Sequence, residues 1–472
     1  MHGDIFKGKK VLVFGLGVLG GGVATTNWLL KHGARVTTTD IKDKKALAES
    51  LRQINGRVQL SLGGHTKRDI DAHDIVVVNP DVSINNPFIR YAFSKHKIVL
   101  NEALIFNSLF SGELVGVTGT RGKTTTVHWT NYFLNGARTA IIAGNSPQHQ
   151  FLKVLDTSRS IDVAVTELSS FHLELFDRSH RAPDVAVITN VYQDHLNRHG
   201  SLKNYAETKA RIFLGQTASQ HAILNYDNPW TKHFISMRPR GHQWFFSRIK
   251  SLPKSLNGIW LKKDTVYFQK DEAIKKLFIL GDFIKEKGMH NVENFLASAL
   301  AAFCAGCPWD IIKKRIQTLP SVMFRQETIF KNNRMTIIND TTATSPEGGI
   351  AAVNRFGAPH CILITGGTDR QLSFTKWAQS VQKHIAPKNM VFLTGSATKK
   401  MREKLPASYR AMPVYDTLDE CVKVALVKAG LYKKSVVLFS PSSKSFEKFK
   451  NEFDRGEQFN KIIRRLCGNQ KK

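Results

Sequence analysis

With 472 residues and 42% apolar content, the chain has enough hydrophobic side chains for two to four packed domains, which excludes an intrinsically disordered protein. No window approaches 18 consecutive apolar residues, and Met1–Lys10 is short and polar. Neither a membrane span nor a signal peptide is therefore expected, and the chain reads as cytoplasmic. Lys and Arg number 68 against 38 Asp and Glu, a net charge of +30. The basic residues are spread along the chain with no arginine-rich arm, which favours a lysine-rich surface around polyanionic small substrates over nucleic-acid binding.

Strand and helix patterns alternate throughout, which predicts α/β architecture with parallel sheets. Val11 to Phe14 reads as a strand running into Gly15-Leu-Gly17-Val-Leu-Gly20, followed by a helix to Lys31. A second strand, Arg35 to Thr39, ends at Asp40. This is the GxGxxG arrangement of a Rossmann-like unit, with an acid about 20 residues on. Alone it is a weak signal for NAD, because the same turn can grip any diphosphate, a UDP-sugar included. Gly17, Val18 and Asp40 are its candidate ligand contacts. Strands at Ile75–Val78 and Ile98–Leu100 complete a first domain over residues 1–102.

The most informative stretch is Gly116-Val-Thr-Gly-Thr-Arg-Gly-Lys-Thr-Thr-Thr126. An apolar strand leads into it and a helix, Thr124 to Leu134, follows. Val117 stands where a strict GxxxxGK[ST] loop has its first glycine. The remaining features still describe a phosphate cradle: Gly119, Thr120 and Gly122 shape the turn, and Lys123 reaches terminal phosphates. Thr124 or Thr125 offers a hydroxyl to Mg²⁺, and the helix N-terminus adds partial positive charge. Further strands are predicted at Ala140–Ala143, Val163–Thr166, Val185–Thr189 and Ala222–Leu224. Gln243–Phe246 and Thr265–Phe268 are expected to form an antiparallel edge. Glu167 closes one strand and Asp194-His195 follows the next, which directs both toward the crevice at the carboxyl ends of the sheet. Glu167 is a natural Mg²⁺ ligand there. Lys209 falls on a helix, where sequence physics gives it no special role. Cys304-Ala-Gly-Cys307 closes an Ala-rich helix and reads as core packing, since no second pair completes a zinc site. A break at Leu319-Pro320-Ser321 separates this domain, residues 103–321, from a third α/β domain over 322–472. Its strands are predicted at Met335–Ile338, Cys361–Thr365, Val391–Leu393 and Val436–Phe439.

The motifs, taken in order, resemble the Mur ligases, ATP-dependent amide-bond-forming enzymes of bacterial cell-wall precursor synthesis. The resemblance covers nearly the whole chain. It is carried by Gly119-Thr-Arg-Gly-Lys-Thr124, Gly144-Asn145, Glu167-Leu-Ser-Ser-Phe171, Asp194-His195, Tyr205 to Arg211, Gly288-Met-His-Asn291-Val-Glu-Asn294, Arg325-Gln-Glu327, Asn339-Asp340 and Phe449-Lys-Asn451. Within the family, the chain is most similar to the members that add glutamate to UDP-N-acetylmuramoyl-L-alanine.

The resemblance implies three α/β domains that bind UDP-sugar, ATP and amino acid in turn, in a protein expected to act as a monomer. It implies that Lys123 stabilises the transferring phosphoryl group. Thr124, Glu167, His195 and a carbamylated Lys209 hold Mg²⁺, and Asn291, Asn294, Arg325 and Asp340 contact ATP. Asn145 and Ser169 fall on the UDP-muramoyl side, and Ser445 near the glutamate. Arg370 is a candidate cation for a glutamate carboxylate.

The pattern also departs from the family. Thr342 replaces a lysine associated with the amino acid. Phe324, His172, Glu452, Asp81 and Ile41 stand where histidine, glutamine, an aromatic residue, glycine and threonine are common. These changes leave open D- against L-glutamate, another Mur step or a folylpolyglutamate-type ligase. More remote readings are a dinucleotide oxidoreductase and a nucleic-acid-dependent ATPase.

Overall fold

The computed structural model describes residues 4–144, 146, 148–158, 160–369 and 371–468. Two of the candidate residues, Asn145 and Arg370, lie outside the described residues. The chain divides into two compact units, Met1–Leu319 and Pro320–Lys472.

The first unit contains two sheets. One has five parallel strands in the spatial order Gln59–Leu62, Arg35–Asp40, Lys10–Phe14, Ile75–Val78, Ile98–Leu100. The order reverses beside Lys10–Phe14, and the glycine turn emerges at that switch point, where doubly wound sheets bind ligands. The second sheet has nine strands, with Glu113–Thr118 between Val163–Glu167 and Val185–Ile188. One correction follows. His242–Ser247 pairs in parallel with both neighbours, His221–Asn225 and Gly258–Lys262. The antiparallel edge is instead built from Gly258–Lys262, Thr265–Lys270 and Ala273–Ile279. Trp244, Phe245 and Phe246 are all buried, and strands covered on both faces suit parallel pairing inside the sheet.

One hydrophobic core runs through elements of both sheets. Val11, Val13 and Trp28 belong to it together with Phe106, Phe151, Leu173, Ile188 and Phe213. Polar pins cross the same boundary: Trp28 Nε1 donates to Asp156 Oδ1 at 2.9 Å, and buried Asn101 Nδ2 donates to the His172 carbonyl at 2.8 Å. Shared apolar burial with satisfied polar groups makes these two sheets one unit.

The second unit holds six strands in the order Glu327–Lys331, Met335–Asn339, Ser435–Phe439, Cys361–Thr365, Met390–Leu393, Val414–Tyr415. Only the first pairing is antiparallel. All five cysteines are free thiols, and burial pushes Cys307 up to about 11. Among the described residues, no helix is long and apolar enough to cross a membrane.

Candidate active site

The phosphate cradle is shaped by close approach. Gly119 has φ +146°, and a Cβ there would lie 1.9 Å from Thr189 Oγ1. Gly122 has φ +83°, and its Cβ would meet Asn294 Oδ1 at 2.1 Å. Only glycine fits either position. The turn is anchored from the next strand. Arg121 N donates to Asn190 Oδ1 at 2.9 Å, Thr189 Oγ1 donates to the Arg121 carbonyl at 2.7 Å, and Thr120 N donates to the Asn190 carbonyl at 2.9 Å. Helix Lys123–Leu134 begins at Gly122 with no side-chain cap, so its first-turn N–H groups point into the turn. Thr124 and Thr125 sit in that first turn, and Lys123 Nζ donates to the carbonyls of Gly119 at 2.9 Å and Thr120 at 3.3 Å.

A second lysine meets the same turn. Helix Leu202–Leu214, capped by Ser201, buries the face carrying Tyr205, Lys209, Ile212 and Phe213. Lys209 is 1% exposed, lies over the Tyr205 ring, and donates from Nζ to the Gly119 carbonyl at 3.0 Å. Burial holds its amine well below the usual lysine range, and the neighbouring charge of Lys123 lowers it further, against a raising influence from Asp194. Burial and the facing Lys123 charge thus shift the balance of this amine toward its neutral form relative to an ordinary lysine.

Glu167 ends strand Val163–Glu167 and packs closely on Gly144, where a Cβ would lie 2.8 Å from Glu167 Cβ. His195 takes a left-handed conformation, φ 52°, and its backbone N–H donates to Asp194 Oδ1 at 3.0 Å. Its ring lies against Phe171, with centroids 5.0 Å apart, and Asp194 pairs with Arg121 at 3.6 Å. Among the described residues, no group of three or more His, Cys, Asp or Glu could hold a metal by itself. The donors expected for Mg²⁺ fit a different logic. A threonine hydroxyl and one carboxylate are oxygen donors of the kind Mg²⁺ takes, and phosphate oxygens would complete such a set.

Asn291 and Asn294 open helix His290–Cys304. Asn294 Nδ2 donates to Asn291 Oδ1 at 3.0 Å, and Asn291 Nδ2 donates to the Lys287 carbonyl at 2.8 Å. Between them, Glu293 accepts from Asn225 Nδ2 at 2.5 Å, and burial raises its carboxyl. Sequence reasoning missed Glu293 and Asn225. Ser169 caps helix Ser170–Leu173 reciprocally with His172: Ser169 Oγ accepts from His172 N at 3.2 Å, and His172 Nδ1 accepts from Ser169 N at 3.2 Å. Histidine thus performs the capping role of a glutamine at that place.

At the first sheet, Gly17 N donates to Asp40 Oδ2 at 2.9 Å and Lys42 N donates to Oδ1 at 2.9 Å. Asp40 therefore holds the turn's shape, while Val18 stands 51% exposed at its tip.

In the second unit, Asp340 follows strand Met335–Asn339 and is buried. Ser440 Oγ donates to its Oδ2 at 2.8 Å and Gln326 N donates to Oδ1 at 3.1 Å, yet burial still pushes the carboxyl up to about 7. Arg325 stands between Phe324 and Gln326, both in left-handed conformations. Thr342 Oγ1 donates to the Phe324 carbonyl at 2.7 Å, so the residue that replaces lysine serves the local turn. Arg455, unforeseen from sequence, is fully buried and donates to the carbonyls of Thr341, Ser443 and Lys444 at 2.7, 3.1 and 3.1 Å. It fixes the loop bearing Ser445, whose buried hydroxyl has no hydrogen-bond partner among the described residues.

A glycine cradle opening an uncapped helix, faced by a buried lysine, defines a nucleotide-dependent α/β enzyme. Family comparison agrees. Residues 117–302 match the Mur ligase middle domain and residues 9–101 match the MurD-like Mur ligase N-terminal domain. The chain belongs to the Mur ligase family. It is 33% identical over 462 residues to the UDP-N-acetylmuramoylalanine–D-glutamate ligase of Roseiflexus sp., covering 97% of this chain and 98% of the relative. It is 31% identical over 465 residues to the enzyme of the same name from Clostridioides difficile, covering 98% and 99%. Among solved structures, the UDP-N-acetylmuramate–alanine ligase MurC of Thermotoga maritima shares the fold, with TM-score 0.57 and 18% identity over 98% of this chain and 100% of that one. MurF of the same organism, solved with ADP, gives TM-score 0.56 and 17% identity over 91% and 95%.

Proposed function

We propose that the chain is the ADP-forming ligase that joins D-glutamate to UDP-N-acetylmuramoyl-L-alanine in peptidoglycan precursor synthesis. The observation that carries this reading is the Gly119 carbonyl shared by Lys123 and the buried Lys209, within a chain matched end to end by ligases of that name. A carboxylate is a poor acyl donor. Its oxygen attacks the γ-phosphorus of ATP, ADP leaves, and an acyl phosphate forms. The glutamate amine then attacks the carbonyl carbon, phosphate departs and the amine loses its proton. Lys123 and the N–H groups opening helix Lys123–Leu134 face the charge that develops on the transferring phosphoryl group. Thr124, Glu167, His195 and carbamylated Lys209 would hold magnesium, which when bound neutralises crowded phosphate oxygens.

The remaining groups bind and orient. Gly17, Val18 and Asp40 form the uridine-nucleotide turn, with Asn145 and Ser169 toward the muramoyl group. Asn291 and Asn294 lie on the adenine side of ATP, Arg325 and Asp340 take its phosphate and ribose, and Arg370 and Ser445 receive the glutamate. The protein acts in the cytoplasm as a monomer on these small molecules.

Phosphate release tests the reading. It is expected only when ATP, Mg²⁺, UDP-N-acetylmuramoyl-L-alanine and D-glutamate are all present, with L-glutamate and other amino acids as the comparison panel. Absence of magnesium-dependent ATP binding by calorimetry would overturn it.

A further inference from the structure

The Arg198 guanidinium joins two parts of the first unit that sequence places far apart. It donates from Nε to Glu174 Oε1 at 2.8 Å and from Nη2 to Glu174 Oε2 at 2.7 Å, a two-point pair nearly closed to solvent. The same guanidinium donates to three successive carbonyls, those of Pro80, Asp81 and Val82, at 3.0, 2.7 and 2.9 Å. Ile84 N also donates to Glu174 Oε2, at 3.3 Å, so the pair grips the segment 80–84 at both ends.

That segment adjoins the glycine turn of the first sheet. Asn79 Nδ2 donates to the Gly15 carbonyl, and a Cβ on Gly15 would touch Asn79 and Val82 at 3.1 and 3.2 Å. On its other side, Arg198 belongs to the short helix that His195 begins, and its backbone N–H donates to the His195 carbonyl at 3.0 Å. Its cation lies 4.3 Å from the centroid of Phe171, the ring that packs against the His195 imidazole. A displacement of the glycine turn therefore moves acceptors on the same rigid fork that sets the His195 turn.

We propose that Arg198 is a positioning residue that couples occupancy of the first-sheet glycine turn to the geometry of the His195 turn, so that a uridine-nucleotide ligand in one tightens magnesium–ATP in the other. The assignment of ligands to the two turns rests on the function proposed above. A fork with five donors can hold one carboxylate and three carbonyls at once, whereas a lysine ammonium can hold only part of that set.

The test is calorimetry with a non-hydrolysable ATP analogue and Mg²⁺, without and with saturating UDP-N-acetylmuramoyl-L-alanine. In the unaltered protein the second titration is expected to be at least about fivefold tighter. In Arg198→Lys the ratio falls toward one, while affinity in the absence of the UDP-sugar changes less than the ratio does. The double variant Glu174→Gln with Arg198→Gln removes both buried charges together and keeps an acceptor for Ile84 N; it is expected to lose the ratio likewise. Thermal unfolding confirms that each variant is folded. A ratio near one in the unaltered protein overturns the coupling, and so does an undiminished ratio in a folded variant. Failure of the unaltered protein to bind the analogue at all overturns the ATP assignment instead. A mere structural staple would lower the unfolding midpoint and leave the ratio untouched.

Discussion

Lys123 and Lys209 donate to one carbonyl oxygen, that of Gly119, at 2.9 and 3.0 Å. Burial, and after it the repulsion between two amines so close, lowers the affinity of Lys209 for its proton. The two differ in burial: Lys123 is half-buried at the mouth of the cradle, whereas Lys209 is enclosed beneath it. Lys209→Ala is expected to lower kcat about 10–100-fold, with partial recovery by added short carboxylates. Steady-state assays with and without acetate check it. A rate equal to the unaltered enzyme would remove Lys209 from the site.

Lys123→Ala removes the cation and its two bonds to the Gly119 and Thr120 carbonyls, but leaves the contacts from Thr189 and Asn190 that hold the turn to the sheet. A fall in kcat of about 10²–10³-fold is expected with the unfolding midpoint shifted by no more than about 2 °C. Phosphate release and calorimetric melting measure the two sides.

The strand-turn-helix units were legible in sequence because apolar runs met glycine turns at the right places. Lys10–Phe14, Ile75–Val78 and Ala140–Ala143 fall within a residue of expectation. Strand Gln59–Leu62 escaped because it is a half-exposed edge with polar residues, and Gly258–Lys262 because its partners define it more than its own pattern does. The cradle was legible too, since glycine spacing and a following helix are local features. Lys209 was readable only through resemblance: what marks it is burial against Gly119, 90 residues away in sequence. Arg455 gave no signal, because its partners are three backbone carbonyls and the Thr341 hydroxyl, brought to it only by the fold. Glu174 and Arg198 find each other across 24 residues, beyond any local periodicity.

Asp340 makes stability depend on pH in a defined direction. Its carboxyl is pushed up to about 7 from 3.8, so the folded state holds a proton that the unfolded state releases between these values. Its contribution is fullest below pH 3.8 and is lost as pH rises through 7. Asp340→Asn keeps a neutral amide and escapes the loss. At pH 8 it is expected to be more stable than the unaltered protein by on the order of 2–4 kcal/mol, with weaker nucleotide affinity. Urea denaturation at pH 5 and pH 8 checks it: the difference should grow with pH.

His199 works at the acid end. Burial lowers its imidazole to about 4, against a raising influence from Glu174, and its Nε2 lies 3.1 Å from Ser170 Oγ. The folded state thus binds fewer protons than the unfolded state between about 4 and 6.5, and stability falls as pH drops through that range. His199→Gln is expected to reduce that loss by about 1–2 kcal/mol. Denaturation midpoints at pH 4.5 and 7 measure it, and an unchanged acid slope would reject the assignment.

Gly119→Ala isolates the cradle's shape from its charge. The new methyl would sit 1.9 Å from Thr189 Oγ1 and 3.1 Å from Asn190 N, on a backbone at φ +146°. Two costs combine, a steric overlap and a conformation that side chains rarely adopt, together about 2 kcal/mol or more. Removing the overlapping oxygen separates them. Gly119→Ala with Thr189→Ala is expected to recover part of the stability, because the 1.9 Å overlap is gone and only contacts of 3.1 Å to Asn190 N and the Cβ of residue 189 remain. ATP affinity should recover less, since Thr189 Oγ1 also donates to the Arg121 carbonyl at the base of the turn. Urea midpoints and analogue titrations on the single and double variants decide it: full recovery of both would mean that the glycine serves packing alone.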